Sequence, residues 1–145
     1  MKRHVKIAFV YAILAMVCGV FYREFTKAYE FVGSTALGKV HTHLFLLGMV
    51  VFLIFALFDK KLNLQKHKLY LPFIVIYNVG VGIMSVMLIV RGVTEVVSAN
   101  VSNGAISGVS GIGHILVAVG IVFMFCILLS SLNSQKINAK NTNEN

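Results

Sequence analysis

The sequence predicts an all-α integral membrane protein: a bundle of four transmembrane helices with both termini in the cytoplasm. Three observations lead there. Of the 145 residues, 58% are hydrophobic and only 12% charged, against about 25% charged in a soluble domain, so too few polar groups exist to coat a water-facing surface. Four apolar runs, at about residues 5–22, 40–58, 69–90 and 112–132, each have the length that crosses a hydrocarbon core of about 30 Å. The 13 Lys and Arg residues cluster at the ends of those runs.

The first run, Val5 to Tyr22, follows Lys2, Arg3 and Lys6 and resembles a signal peptide at its start. It ends in Val20-Phe21-Tyr22-Arg23 without a small-residue cleavage site, so it is read as a retained helix. Ala8, Ala12, Ala15 and Gly19 recur at helical spacing and predict a face for close packing, or a flat face against a planar cofactor. The second run, Val40 to Phe58, opens with His41-Thr42-His43. The third, Leu69 to Val90, carries Asn78 and Ser85, expected to bond helix to helix. The fourth, Ile112 to Leu132, contains His114, with Ser107, Gly111 and Ala118 on its side of the helix. Period-2 alternation, the mark of a barrel strand, is missing. The segment 133–145, rich in Asn and Lys, is expected to be a disordered cytoplasmic tail.

Orientation follows from the cations. Lys2, Arg3, Lys6, Lys60, Lys61, Lys66, Lys68, Lys136 and Lys140 fall on one side, and Arg23, Lys27, Lys39 and Arg91 on the other. Nine against four places the first set in the cytoplasm. The net charge of +8 is thereby read as topology and attraction to anionic lipid headgroups, not as nucleic-acid binding. The two cysteines, Cys18 and Cys126, sit inside apolar runs at opposite depths and are not expected to pair. No CxxCH, Walker loop, GxSxG or dinucleotide turn is present.

Histidines at membrane depth carry the functional argument, because ionisable groups there are costly and retained for use. His4 and His67 are placed in the cytoplasmic flanks. His41, His43 and His114 all fall near the outer leaflet boundary. On a helix, residues two apart point about 200° from each other, so His41 and His43 do not grip one ion together. The spacing suits two separate ligations, or one ligation and one hydrogen bond, with His114 opposing across the bundle. Imidazoles from two helices, an apolar slot and cations near the propionates are what a b-type haem requires. His41, His43 and His114 are therefore candidate ligands of haem iron, and Arg23 and Arg91 candidate propionate partners. Phe21, Phe45 and Met49 are candidates to pack on the macrocycle. Glu24, Thr42, Ser107 and Ser110 are candidates to orient an imidazole. The expected function is a haem b protein of the bacterial cytoplasmic membrane, in electron transfer or in sensing or handling a diatomic gas. A homo-oligomer is expected, and a redox partner or quinol is left open. The rival readings are a small transporter or channel module, and a cofactor-free assembly subunit.

Two resemblances bear on this. The run Gly19-Val20-Phe21-Tyr22-Arg23-Glu24-Phe25, followed by Val40-His41-Thr42-His43-Leu44-Phe45, resembles loosely the start of haem-copper oxidase subunit I. That resemblance implies low-spin haem ligation by His43, with His41 as the other member of an HxH pair. The cross-linked His-Tyr motif and further histidines for copper are lacking, so oxygen reduction is not implied. The chain from about residue 5 to 132 also resembles a family of small bacterial four-helix membrane proteins, domain of unknown function 2871, which implies the four-helix fold and no settled activity.

Overall fold

The computed structural model describes residues 2–99 and 103–143, with the side chains of 103 and 137–143 outside that description. Among the described residues the chain is helical and contains no strand. Four helices are long and apolar enough to cross a membrane: α1 (Lys2–Ala28), α2 (Leu37–Leu62), α3 (Tyr70–Val96) and α4 (Asn103–Asn143). An even number of crossings brings both ends to one face, the face that also carries Lys60, Lys61, Lys66 and Lys68.

Each helix covers its expected apolar run, α3 starting one residue later at Tyr70, and extends beyond it. The reason is that amphipathic ends are helical too: α1 runs through Arg23 and Lys27, and α3 through Arg91 and Glu95. The largest difference lies at the C-terminus. There α4 continues past Leu132 to Asn143, into the segment expected to be a disordered tail. Lys140, counted in the charge argument, lies outside the described side chains.

The helices are not arranged as a closed square. α1 packs along α2, α2 packs on α3, and α3 shares its most extensive interface with α4. Close approach in lipid depends on small residues. Ala8 and Ala15, part of the predicted small-residue face of α1, are buried against its neighbours. On α4 the packing face is a different one from that expected. Ser107 and Ala118 are exposed, while Ile106, Gly113, Val117, Gly120 and Ile127 are buried. A methyl group on Gly120 would stand 2.8 Å from the Tyr77 ring, and one on Gly80 of α3 would stand 2.8 Å from the backbone nitrogen of Val117.

α2 is not uniform. Leu37–His43 and Val51–Leu62 are α-helical, but Leu44–Val50 is a π-helical stretch. Widening the helix displaces carbonyls from their usual partners, and here Tyr77 of α3 donates its hydroxyl to the carbonyl of Leu47 at 2.9 Å. Gly48 lies within this stretch directly against the Tyr11 ring. Below it, Phe52, Phe55, Phe73 and Tyr77, all fully buried, form an aromatic block with centroid spacings of 4.8 to 6.2 Å. That block fills the bundle between its middle and its basic end.

Candidate functional site

At the outer end, α2 presents its two histidines in different directions, as the 200° argument requires. His41 turns toward α1, its ring 3.8 Å from where a Gly19 side chain would begin. Nδ1 of His41 is buried and has no hydrogen-bond partner among the described residues. His43 is half-buried. Its Nδ1 lies 2.7 Å from the carbonyl oxygen of Lys39, one turn back. His114, exposed on α4, repeats that arrangement, with Nδ1 2.8 Å from the carbonyl of Ser110. A carbonyl oxygen only accepts, so in both rings Nδ1 is the nitrogen that carries the proton. In the neutral ring Nε2 then keeps its lone pair.

His114 and Arg91 share a cleft of about 290 Å³ between α3 and α4, lined also by Met87, Leu88, Ser107 and Ser110. His43 does not line this cleft, and no group of three or more His, Cys, Asp or Glu side chains among the described residues is disposed to hold a metal ion. One chain therefore brings Arg91 to His114 but does not set His43 opposite His114 in a common cavity. Arg23 stands apart, exposed on α1 with Nε 3.7 Å from Glu24. Ser110, one of the candidate orienting groups, orients His114 through its backbone carbonyl and not its hydroxyl. Lys39 does the same for His43 and was not anticipated.

Arg91 is less available than its position suggests. Its Nε donates to Oε1 of Glu95 at 3.1 Å, and Oε2 of Glu95 accepts the backbone N–H of Ala36 at 2.7 Å. Thr35 adds a hydrogen bond to the carbonyl of Gly92 at 2.9 Å. Glu95 thus ties the α1–α2 connection to the end of α3. Sequence reading passed over Glu95, although its spacing of four from Arg91 was a usable signal.

A second polar cluster lies at the opposite, basic end, where His4 had been placed in a solvated flank. His4 is instead completely buried. α1 is helical from Lys2 and leans its first turn onto α2 and α3, which takes the ring out of water. Nε2 of His4 is hydrogen-bonded to the Tyr70 hydroxyl at 3.0 Å. Nδ1 lies 3.4 Å from Oδ2 of Asp59 without the alignment of a hydrogen bond. Asp59, also buried, accepts from Nε2 of Gln65 at 2.7 Å. The Phe55 ring meets His4 edge-on at 5.0 Å. The only signal for this cluster in the sequence was an acidic residue, Asp59, among the lysines that end the second apolar run.

The sequence model of a family described as "Protein of unknown function (DUF2871)" matches residues 1–131. No curated protein and no solved structure matches the chain. The comparisons return no haem-copper oxidase, so the likeness to subunit I rests on the quoted residues alone.

Proposed function

The chain belongs to the DUF2871 family, whose description leaves the activity open, and from that premise we propose that it is a multi-pass haem b protein of the bacterial cytoplasmic membrane, acting in electron transfer or in handling a diatomic gas. One observation carries the reading. His43 and His114 each have Nδ1 anchored to the carbonyl four residues earlier, which fixes the ring and leaves Nε2 free. Ligating histidines use this arrangement, donating the second nitrogen to an oxygen so that the first holds the metal.

Where these rings stand determines what kind of haem site fits. Both reach the side of the bundle and not a shared interior slot, so the residues fit a haem held at the edge of the chain and completed by a second copy. His43 and His114 would supply axial nitrogens and His41 a further one. Arg91, at the mouth of the His114 cleft, would meet a propionate in competition with Glu95; Arg23, exposed beside Glu24, would do so from the side of α1. Bound there, haem supplies reversible one-electron chemistry or an open iron position for a gas. A homo-oligomer follows from the incomplete site in each copy.

The transporter reading has less support, since Phe52, Phe55 and Phe73 close the bundle between its middle and its basic end with apolar rings. The test is the absorption spectrum of protein purified in detergent from cells supplied with haem. The expected result is a Soret band that His43→Ala and His114→Ala each shift or remove. Protein without a Soret band, or a band indifferent to both substitutions, overturns the proposal.

A further inference from the structure

Because α4 packs on α3 and not on α1, no described helix covers the seam between α1 and α3. A groove of about 560 Å³ runs along it, lined by Lys6, Ile7, Tyr11, Leu14, Asn78 and Ser85 among others, with Leu44 of α2 at its base. From Lys6 to Cys18, its limits on α1, the rise is about 18 Å. The lining is apolar apart from Lys6 at the basic end, the Tyr11–Asn78 pair in the middle and Ser85 toward the outer end.

Two features of this groove have no account among the described residues. Ser85 is 7% exposed, and its Oγ is buried without a hydrogen-bond partner among the described residues; a buried hydroxyl left so costs about 1–3 kcal/mol. The second feature is Gly82, which also lines the groove. Gly80, Gly113 and Gly120 are required by contacts inside the chain, whereas a side chain on Gly82 would meet nothing within 4 Å. A helix glycine with no packing role costs about 1 kcal/mol relative to alanine, and it keeps the groove deep beside Ser85.

We propose that this groove binds an isoprenoid quinone, with its dicarbonyl ring at Ser85 and its tail along Leu14, Val10 and Ile7 toward Lys6. The chemistry of the lining selects that class. A saturated acyl chain would fill the apolar length but leave the Ser85 hydroxyl without an acceptor at this depth. A quinone brings carbonyl oxygens that only accept, matched to the Ser85 hydroxyl, which can donate. The flat ring fits over a glycine, and the tail is long, apolar and without polar atoms, as is the groove below the Tyr11–Asn78 pair. Binding needs no haem, so this inference stands or falls apart from the one above.

The experiment is binding of a decyl-tailed benzoquinone to the purified full-length chain in detergent, by equilibrium dialysis against protein-free micelles, with decylbenzene as the carbonyl-free competitor. Wild type is expected to retain the quinone and to prefer it over decylbenzene by at least tenfold. Ser85→Ala is expected to weaken binding about threefold to tenfold, the loss of one hydrogen bond. Gly82→Leu, whose Cβ would meet nothing within 4 Å, is expected to abolish binding with the fold intact. Three results each overturn the proposal: no retention by wild type; equal retention of decylbenzene with no effect of Ser85→Ala, which makes the groove an acyl-chain site; and spontaneous disulfide-linked dimers of Gly82→Cys that exclude the quinone, which makes it a contact between copies.

Discussion

The Tyr11 hydroxyl donates to Oδ1 of Asn78 across 2.7 Å, and Nδ2 of Asn78 donates in turn to the carbonyl of Ile74 at 2.6 Å. This pair links α1 to α3 at the middle of the bundle, as His4 and Tyr70 do at its basic end, and it sits in the groove between the two helices. Inside a membrane such a bond replaces water that neither group can reach. Double-mutant measurements put such links near 0.6 kcal/mol. Tyr11→Phe is accordingly expected to lower stability by about 0.5–1 kcal/mol, read as a small drop in the midpoint of unfolding in mixed detergent. The same change leaves Asn78 with an unmatched acceptor, so Asn78→Leu combined with Tyr11→Phe should recover part of the loss.

Glycine substitutions separate contact from vacancy. Gly48→Ala drives its methyl into the Tyr11 ring and is expected to cost about 1–3 kcal/mol, as overpacking does. Gly82→Ala is expected to be neutral or to stabilise by up to about 1 kcal/mol through helix propensity alone. Thermal midpoints of the two variants, measured in one detergent, should move in opposite directions from each other or leave Gly82→Ala unmoved.

Breaking the buried cluster at the basic end should be more costly than its position near the N-terminus suggests. Tyr70→Phe removes the hydroxyl that holds Nε2 of His4 and leaves that nitrogen unpartnered in a dry site. A loss of about 1–3 kcal/mol is expected. His4→Phe, which keeps an aromatic ring beside Phe55 and Tyr70, should be tolerated better than His4→Ala, which opens a cavity. Equal midpoints for those two variants would mean that the ring's packing contributes nothing.

Glu95→Ala removes the acceptor of the Ala36 N–H and the partner of Arg91. The ion pair itself is half exposed and contributes little. The larger effect expected is local: faster hydrogen exchange or proteolysis between Phe31 and Leu37, with little change in the global midpoint. If exchange in that segment is unaltered, Thr35 alone holds it in place.

How far the sequence disclosed this molecule depends on which interactions are local. Hydropathy located all four spans, since crossing a bilayer is a property of each run by itself. It stopped short at the ends, where Arg23, Arg91 and Glu95 extend helices that hydrophobicity does not reward. The divergence of His41 and His43 was legible because helical geometry fixes it within three residues. The burial of His4 was not, because it depends on Asp59, Gln65 and Tyr70, which are 55 or more positions away. The expected packing stripe on α4 failed for a related reason: several small residues at helical spacing offer themselves, and only the shape of α3 selects Gly113 and Gly120 over Gly111 and Ala118. No residue type announced the π-helical stretch at Leu44–Val50.

That stretch has a mechanical consequence for the histidines that precede it. Each residue of an α-helix turns the chain by about 100°, and π-bulges commonly correspond to one residue added to a regular helix. The half of α2 beyond Val50 is clamped by Phe52 and Phe55. Deleting a single residue between Leu44 and Val50 would let the wide turns close and would swing the short Leu37–His43 segment around its axis. His41 would leave its seat at Gly19, and a different side chain would face the place His43 occupies. The direction of both imidazoles is thus set downstream of them, by the widened turns of Leu44–Val50 acting as an angular offset.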